Sequence, residues 1–305
     1  MNAGIRAVVR SGIDRGLSVF GVYKGYDGLI DDVFVRLGHE DVSNIIQRGG
    51  TMLHSARSPR FLTPEGRSSA AACLSGRRVD GLVVIGGDGS FRGADLLSRE
   101  HGIPVVGVPG TIDNDIWGTD MTIGFDTAVN TALESVDRIR DTAAAHDMLF
   151  IIEVMGRTAG FIALEVGIGS GAEAILIPET PTDLEGVCEK VRVRLNGGRT
   201  SNILVVAEGD EAGSAFDIAA GIERLSGLKS RITVLGHVQR GGSPSATDRV
   251  IASKLGWAAV DALMDAAAPC MVGIMAGNVV RHPLASSWTM RKPLDPLLVR
   301  LSEIL

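Results

Sequence analysis

Three observations predict an α/β fold with helices on both faces of mostly parallel sheets. Short β-branched runs alternate with amphipathic helical patterns, glycine, proline or acids bound those runs, and 39 glycines with only 4% aromatic residues favour tight strand–helix turns. At 305 residues and 45% hydrophobic, the chain carries ample apolar material for a large core. Chains above roughly 250 residues usually divide that core between two domains.

The helical pattern starts at once, with NAGIRAVVRSGIDRG from residue 2. An α/β domain normally opens with a strand and a glycine turn, so this sequence begins where the first helix belongs. LVVI (82–85) and IPVVGV (103–108) then read as buried parallel strands. LFIIEV (149–154), AILI (174–177), NILVVA (202–207), ITVL (232–235) and MVGIMA (271–276) read the same way. The clearest helix is DTAVNTALESVDRIRDTA (126–143), where Val129, Leu133, Val136 and Ile139 share one stripe and Asp126 is placed to cap the start. No low-complexity segment, short repeat or Ser/Pro-rich linker interrupts the pattern. In open α/β sheets ligands collect at the carboxyl ends of the strands, so the residues after each strand are the candidate site.

A net charge of −6 and a pI of about 5.6 argue against nucleic acid or an anionic membrane as the main partner, though not against small phosphates. Cys73, Cys188 and Cys270 stand far apart in no metal-like spacing and read as reduced thiols. No apolar run is long enough to span a bilayer and no signal-peptide core is visible. The expectation is a soluble, cytoplasmic protein.

Four strand ends carry chemistry. VVIGGDGSF (83–91) runs from strand through Gly86-Gly87-Asp88-Gly89-Ser90 into a helix. Glycines let the backbone approach a phosphate, and a helix N-terminus supplies N–H donors. An acid there suggests Mg²⁺ between Asp88 and the phosphate; the alternative is a tight turn with Asp88 as helix cap. VPGTIDNDIWGTD (108–120) places Asp113 and Asp115 two residues apart after the next strand. On an extended segment both would point the same way, and mutual repulsion would make one a better general base. The alternative is an Asx-rich turn. In EVMGRTAGF (153–161), Arg157 stands at an expected helix start, where an anion would have to offset the dipole. In LGHVQRGGSPSATDR (235–249), His237 and Arg240 precede paired glycines, and Arg240 suits a phosphate clamp. Acid, acid pair, Arg and His/Arg at four strand ends fit phosphoryl transfer.

GGDGS, PGTIDND, EVMGR and LGHVQRGGSP, with RGGTMLHSAR (48–57) and GYDGL (25–29), resemble in order and spacing the bacterial ATP-dependent 6-phosphofructokinases over essentially the whole chain. The resemblance implies two Rossmann-like three-layer α/β domains. Residues 1–124 plus 239–289 would form the larger, ATP-binding one, and 125–238 plus 290–305 the smaller, sugar-phosphate-binding one. It also implies a homotetramer with active sites at a subunit interface, and transfer of the ATP γ-phosphate to the 1-hydroxyl of fructose 6-phosphate. By that resemblance Asp113 is the base, Asp115 and Thr111 support it, and Arg157 stabilises the transition state. Asp88 sits at Mg²⁺. Arg57, Ser58, Gly87, Gly89 and Ser90 line the ATP phosphates, with Tyr26 near the adenine. Met155, Gly156, Glu208, His237 and Arg240 hold the sugar phosphate beside Thr111, Asp113 and Arg157, and Arg231 reaches it from the neighbouring subunit. Pyrophosphate-using relatives carry Asp in place of Gly89 and Lys in place of Gly110, so both glycines favour ATP.

Three departures qualify the resemblance. The family opens with a strand and a GGDAPG-like loop that helps hold the ATP phosphates; that segment is missing from this sequence, as after a misplaced start codon or a truncation. Met148 replaces an Arg that meets the 6-phosphate, and a charge-assisted hydrogen bond is worth roughly 1.5–3 kcal/mol. The nucleotide-effector set is mixed: Arg6, Arg10, Arg140, Glu173 and Arg199 match, whereas Gly197 and His39 replace basic residues. ADP or phosphoenolpyruvate is the expected effector there. The first and second departures motivate an alternative expectation, a non-catalytic or regulatory ligand-binding subunit.

Overall fold

The structure is a computed structural model that describes residues 1–143, 148–196, 201–265 and 269–304. It begins with α1 (Asn2–Asp14), then the antiparallel pair β1 (Val19–Val22) and β2 (Phe34–Leu37) around the short α2 (Tyr26–Ile30). A 3-10 turn (Arg60–Leu62) leads to α3 (Pro64–Gly76), β3 (Leu82–Gly86), α4 (Asp88–His101) and β4 (Val105–Pro109). Next come α5 (Phe125–Ala143), β5 (Met148–Val154), α6 (Phe161–Ser170), β6 (Ala174–Leu176), α7 (Leu184–Asn196), β7 (Ser201–Ala207), α8 (Ala215–Ser226) and β8 (Ser230–Val234). A second 3-10 turn (Gly236–Arg240) precedes α9 (Ala246–Met264), β9 (Cys270–Met275), β10 (Asn278–Pro283), α10 (Ser286–Thr289) and α11 (Pro296–Ile304).

Two compact units result. The first comprises Met1–Thr111, Ile116–Gly124 and Gly242–Lys292; the second comprises Ile112–Asp115, Phe125–Gly241 and Pro293–Leu305.

In the first unit, four strands run in the order β10-β9-β4-β3, with β3, β4 and β9 parallel and β10 antiparallel. The two-residue period of β4 divides its side chains between two faces. Val106 and Val108 pack with Leu255, Ala258, Ala259 and Ala262 of α9. Val105 faces the other way, onto Phe91 and Ala94 of α4. Helices thus cover both faces, and each fully buried Val or Leu contributes about 1.5–3 kcal/mol. In the second unit the order is β6-β7-β5-β8, all parallel. Leu149, Ile151, Leu204 and Val206 pack against Val187 and Val191 of α7 and Ile218 and Ile222 of α8. The alternate residues Ile152, Val154, Ile203 and Val205 are buried as well, on the face where α5 and α6 pack. Burial on both faces explains why these strands read as continuous apolar runs.

Several details depart from the sequence expectation. The strands β1, β2 and β10 are not among the expected ones: β1 is only the four residues VFGV, FVRL and NVVRHP mix charge with valine, and β10 pairs antiparallel at a sheet edge with Val279, Arg281 and Pro283 exposed. The run ITVL is not a buried strand, because β8 lies at the edge of its sheet with Arg231 and Val234 exposed. Asp126 lies inside the first turn of α5 rather than ahead of it. Among the described residues no helix is long and apolar enough to cross a membrane.

Candidate active site

In the first unit, register alone joins two of the motifs. Gly86 at the end of β3 pairs with Pro109 at the end of β4, and the Gly110 N–H donates to the Gly86 carbonyl at 2.9 Å. The loops that follow are therefore neighbours: a Cβ placed on Gly87 would lie 3.7 Å from that of Thr111. Helix α4 begins at Asp88, so Asp88, Gly89 and Ser90 form its first turn, and Gly87 at the N-cap offers no side-chain cap. The Asp88-as-cap alternative is therefore not what forms. First-turn N–H groups have no acceptor within a helix, and the dipole of α4 adds positive potential there, which suits a phosphate. A Cβ on Gly89 would meet nothing within 4 Å, so this turn fronts open space.

Tyr26 lies beside that turn and donates its hydroxyl to the Ser90 carbonyl. Its ring stacks on Phe61 with centroids 3.8 Å apart, and burial pushes its phenol far above the ordinary range. The Ser58 hydroxyl donates to Asp27 at 2.6 Å, while Arg57 is exposed. Asp88 is half-buried, with Arg92 3.6 Å from its Oδ2. No group of three or more His, Cys, Asp or Glu gathers for a metal among the described residues. Mg²⁺ typically takes one or two carboxylates and fills its octahedron with phosphate oxygens and water. Asp88 beside a phosphate-type helix start fits that donor set, with a nucleotide supplying the rest.

In the second unit, Val154 at the end of β5 pairs with Ala207 at the end of β7, and the Glu208 N–H donates to the Val154 carbonyl. The Met155-Gly156-Arg157 turn is held from two sides. Glu208 Oε1 accepts the Arg157 N–H at 2.7 Å and the Gly156 N–H at 3.3 Å. Gln239 Oε1 accepts the Met155 N–H at 2.8 Å. The turn is strained: Gly156 has φ 151° and Arg157 has φ 55°, a left-handed conformation that costs a non-glycine residue about 1–3 kcal/mol. Its carbonyl approaches Gly209 so closely that a Cβ there would sit 1.9 Å from the Arg157 oxygen. The turn presents Arg157 Nε 3.2 Å from Asp113 Oδ2; the carboxylate side chain is 4% exposed and the arginine 58%.

The structure departs from the sequence expectation at two of these residues. Ile112 and Asp113 form a bend and Asn114 adopts φ 53°, so the segment is not extended and the two-residue spacing does not align Asp113 with Asp115. Nor does Arg157 stand at a helix start, since α6 begins at Phe161; its setting is the strained turn. Asp115 is half-buried and Met155 buried, whereas Glu208, Arg231, His237 and Arg240 are exposed.

Of the effector candidates, Arg6 and Arg10 are half-buried on α1. Arg140 donates to the Ser170 carbonyl at 2.6 Å. Glu173 is buried, with Arg194 3.1 Å away and the Ile203 N–H donating to it, so it has structural work inside its own unit. Arg199 and Gly197 lie outside the described residues. Met148 opens β5. Sequence reasoning passed over Gln239, which sits inside the LGHVQRGGSP motif but is neutral and was overshadowed by His237 and Arg240.

Comparison with known proteins shows what the chain is similar to. A phosphofructokinase profile matches residues 1–263. A Thermus thermophilus protein named ATP-dependent 6-phosphofructokinase 1 is 56% identical over 305 residues, covering 100% of this chain and 95% of its own. A Thermotoga neapolitana protein named ATP-dependent 6-phosphofructokinase is 48% identical over 305 residues, with the same coverage of 100% and 95%. Among solved structures, a phosphofructokinase from Saccharomyces cerevisiae superposes with a TM-score of 0.92 at 35% identity, covering 99% of this chain and 48% of that one. This chain therefore spans about half the length of the yeast chain. A pyrophosphate-dependent phosphofructokinase from Marinobacter aquaeolei has a TM-score of 0.83 at 24% identity, covering 96% of this chain and 82% of its own, a likeness of fold.

Proposed function

The chain belongs to the phosphofructokinase family, and we infer from its site that it is an ATP-dependent 6-phosphofructokinase. It transfers the γ-phosphoryl group of ATP to the 1-hydroxyl of D-fructose 6-phosphate, giving fructose 1,6-bisphosphate, a step of glycolysis. The single observation that carries the reading is the buried Asp113 carboxylate 3.2 Å from Arg157. Phosphoryl transfer through a loose transition state asks the protein for positioning and charge rather than for a covalent partner. The Arg157 guanidinium pairs with the carboxylate that is to accept the proton. Asp113 takes the proton of the sugar 1-hydroxyl, supported by Thr111 and Asp115. The Arg157 guanidinium stabilises charge on the migrating phosphoryl group.

The remaining assignments belong to the same proposal. The first unit holds the nucleotide: Gly87, Gly89 and Ser90 at the α4 N-terminus take its phosphates with Arg57 and Ser58, and Tyr26 lies near the adenine. Mg²⁺ would be held at Asp88, where it neutralises phosphate charge when bound. The second unit holds the sugar phosphate through Met155, Gly156, Glu208, His237 and Arg240, with Arg231 serving a neighbouring copy in a homotetramer. An ADP or phosphoenolpyruvate effector would use Arg6, Arg10, Arg140, Glu173 and Arg199, and the protein would act in the cytoplasm. The open space at Gly89 supports ATP over pyrophosphate as donor. A non-catalytic subunit is not supported: Thr111, Asp113, Asp115 and Arg157 are all present, and the relatives matching the whole chain carry the kinase name.

The test is coupled turnover with ATP, Mg²⁺ and fructose 6-phosphate, repeated with pyrophosphate. Turnover with ATP is expected. Turnover with pyrophosphate alone, or with neither donor, would overturn the reading.

A further inference from the structure

The second 3-10 turn inverts the usual order of burial. Val238, an apolar residue, is 57% exposed, whereas the neighbouring Gln239 amide is 1% exposed. Burying an amide costs free energy unless its polar atoms are used, so a turn that hides Gln239 and shows Val238 needs a reason. One half of the reason is visible. The Met155 N–H is a donor, so the atom facing it is the amide oxygen, and the 2.8 Å bond fixes which way the side chain lies. The other half, Nε2, is buried with no hydrogen-bond partner among the described residues. Met155 heads the strained turn whose third residue, Arg157, stands 3.2 Å from Asp113. Glu208 secures the second and third N–H groups of that turn, and Gln239 alone of these two secures the first.

We propose that Gln239 is a positioning residue for the phosphoryl-transfer step. Its carbonyl oxygen pins Met155, and through Met155 it sets the left-handed turn that carries Arg157 to Asp113. The proposal rests on the kinase reading above for its kinetic consequence, but its structural half stands apart from it. Nothing in a strand-end pattern asks for a buried neutral amide.

The test uses the full chain with two substitutions. Gln239→Met keeps the volume and removes the acceptor; Gln239→Glu keeps the acceptor. Amide hydrogen exchange of the peptide covering 154–161, without substrates, reads the turn directly. It should speed up at least tenfold in Gln239→Met relative to wild type, and less in Gln239→Glu, with the β7 peptides unchanged. In turnover assays Gln239→Met should lower kcat roughly 10- to 100-fold and raise the KM for fructose 6-phosphate, leaving the KM for ATP within twofold. Gln239→Glu should recover part of kcat. Unchanged exchange in Gln239→Met, or equal losses in Met and Glu, would overturn the proposal. A wild type without turnover on fructose 6-phosphate would sink the kinase reading instead, and exchange would still decide the role of Gln239. If Gln239→Met does not fold, exchange and kcat in Gln239→Glu decide: retention of both supports the acceptor role, and collapse of both refutes it.

Discussion

Replacing Gly209 by alanine should uncouple catalysis from folding. A Cβ at Gly209 would lie 1.9 Å from the Arg157 carbonyl oxygen, 2.8 Å from its carbon and 3.2 Å from the Thr158 Cα. Restoring ordinary contact at about 3.5 Å requires the turn to retreat by roughly 1.5 Å. The bonds that aim Arg157 have no such slack: its N–H lies 2.7 Å from Glu208 and its Nε 3.2 Å from Asp113. Overpacking of this kind costs about 1–3 kcal/mol of stability, which a domain of this size survives. The kinetic cost is larger. Misplacing a catalytic group by about 1 Å loses on the order of 100-fold, equivalent to about 2.7 kcal/mol in the barrier. Gly209→Ala should therefore melt as a cooperative fold a few degrees below wild type and show kcat down by about 100-fold, with the KM for ATP unchanged. Coupled turnover and a thermal melt read both quantities. A folded Gly209→Ala protein with kcat within threefold of wild type would refute the claim that the close approach of the Arg157 carbonyl to Gly209 leaves this turn no room to move.

Other outcomes follow from the same geometry. Asp113→Asn removes the base while keeping the shape, and kcat should fall about 10²- to 10⁴-fold with binding of fructose 6-phosphate retained by calorimetry; an unchanged kcat would remove Asp113 from that role. Gly89→Asp places a side chain where a Cβ meets nothing, in a helix first turn that tolerates acids. It should melt like wild type yet lose at least tenfold in kcat/KM for ATP, and unaltered ATP kinetics would end the steric account of donor choice. The Arg67 guanidinium grips Glu100 with two bonds of 2.6 and 2.7 Å, holding that carboxyl below the usual carboxylate range. A depressed folded-state pKa means that the unfolded chain binds the proton first, so this contribution is present above about pH 4.3 and is lost as pH falls through the folded value. Urea midpoints measured from pH 6 to pH 2 should decline in wild type and decline less in Glu100→Gln; parallel curves would show the pair to be uncoupled from stability.

How legible each part was depends on the range over which it is decided. Apolar runs such as NILVVA and IPVVGV are buried on both faces, so composition within a few residues identifies them. Strands β2 and β10 were not legible, because their pairing is settled by partners along the chain and in the sheet rather than by their own mixed residues. The loop after β3 could be read as a phosphate site because glycines, an acid and a helix start are adjacent in sequence. Gln239 could not, because its value lies in a bond to a residue 84 positions away.

The alternation of strands and helices, the family, and the residue types at each strand end follow from local periodicity and side-chain chemistry, and so are readable from short stretches of chain. Long-range packing instead puts Asp113 in a bend rather than an extended run, and Arg157 in a left-handed turn rather than at a helix start. A buried amide and a neighbouring carboxylate from other segments hold that turn. A strained backbone persists only where packing and hydrogen bonds from distant segments over-determine it, and no window of neighbouring residues contains those segments.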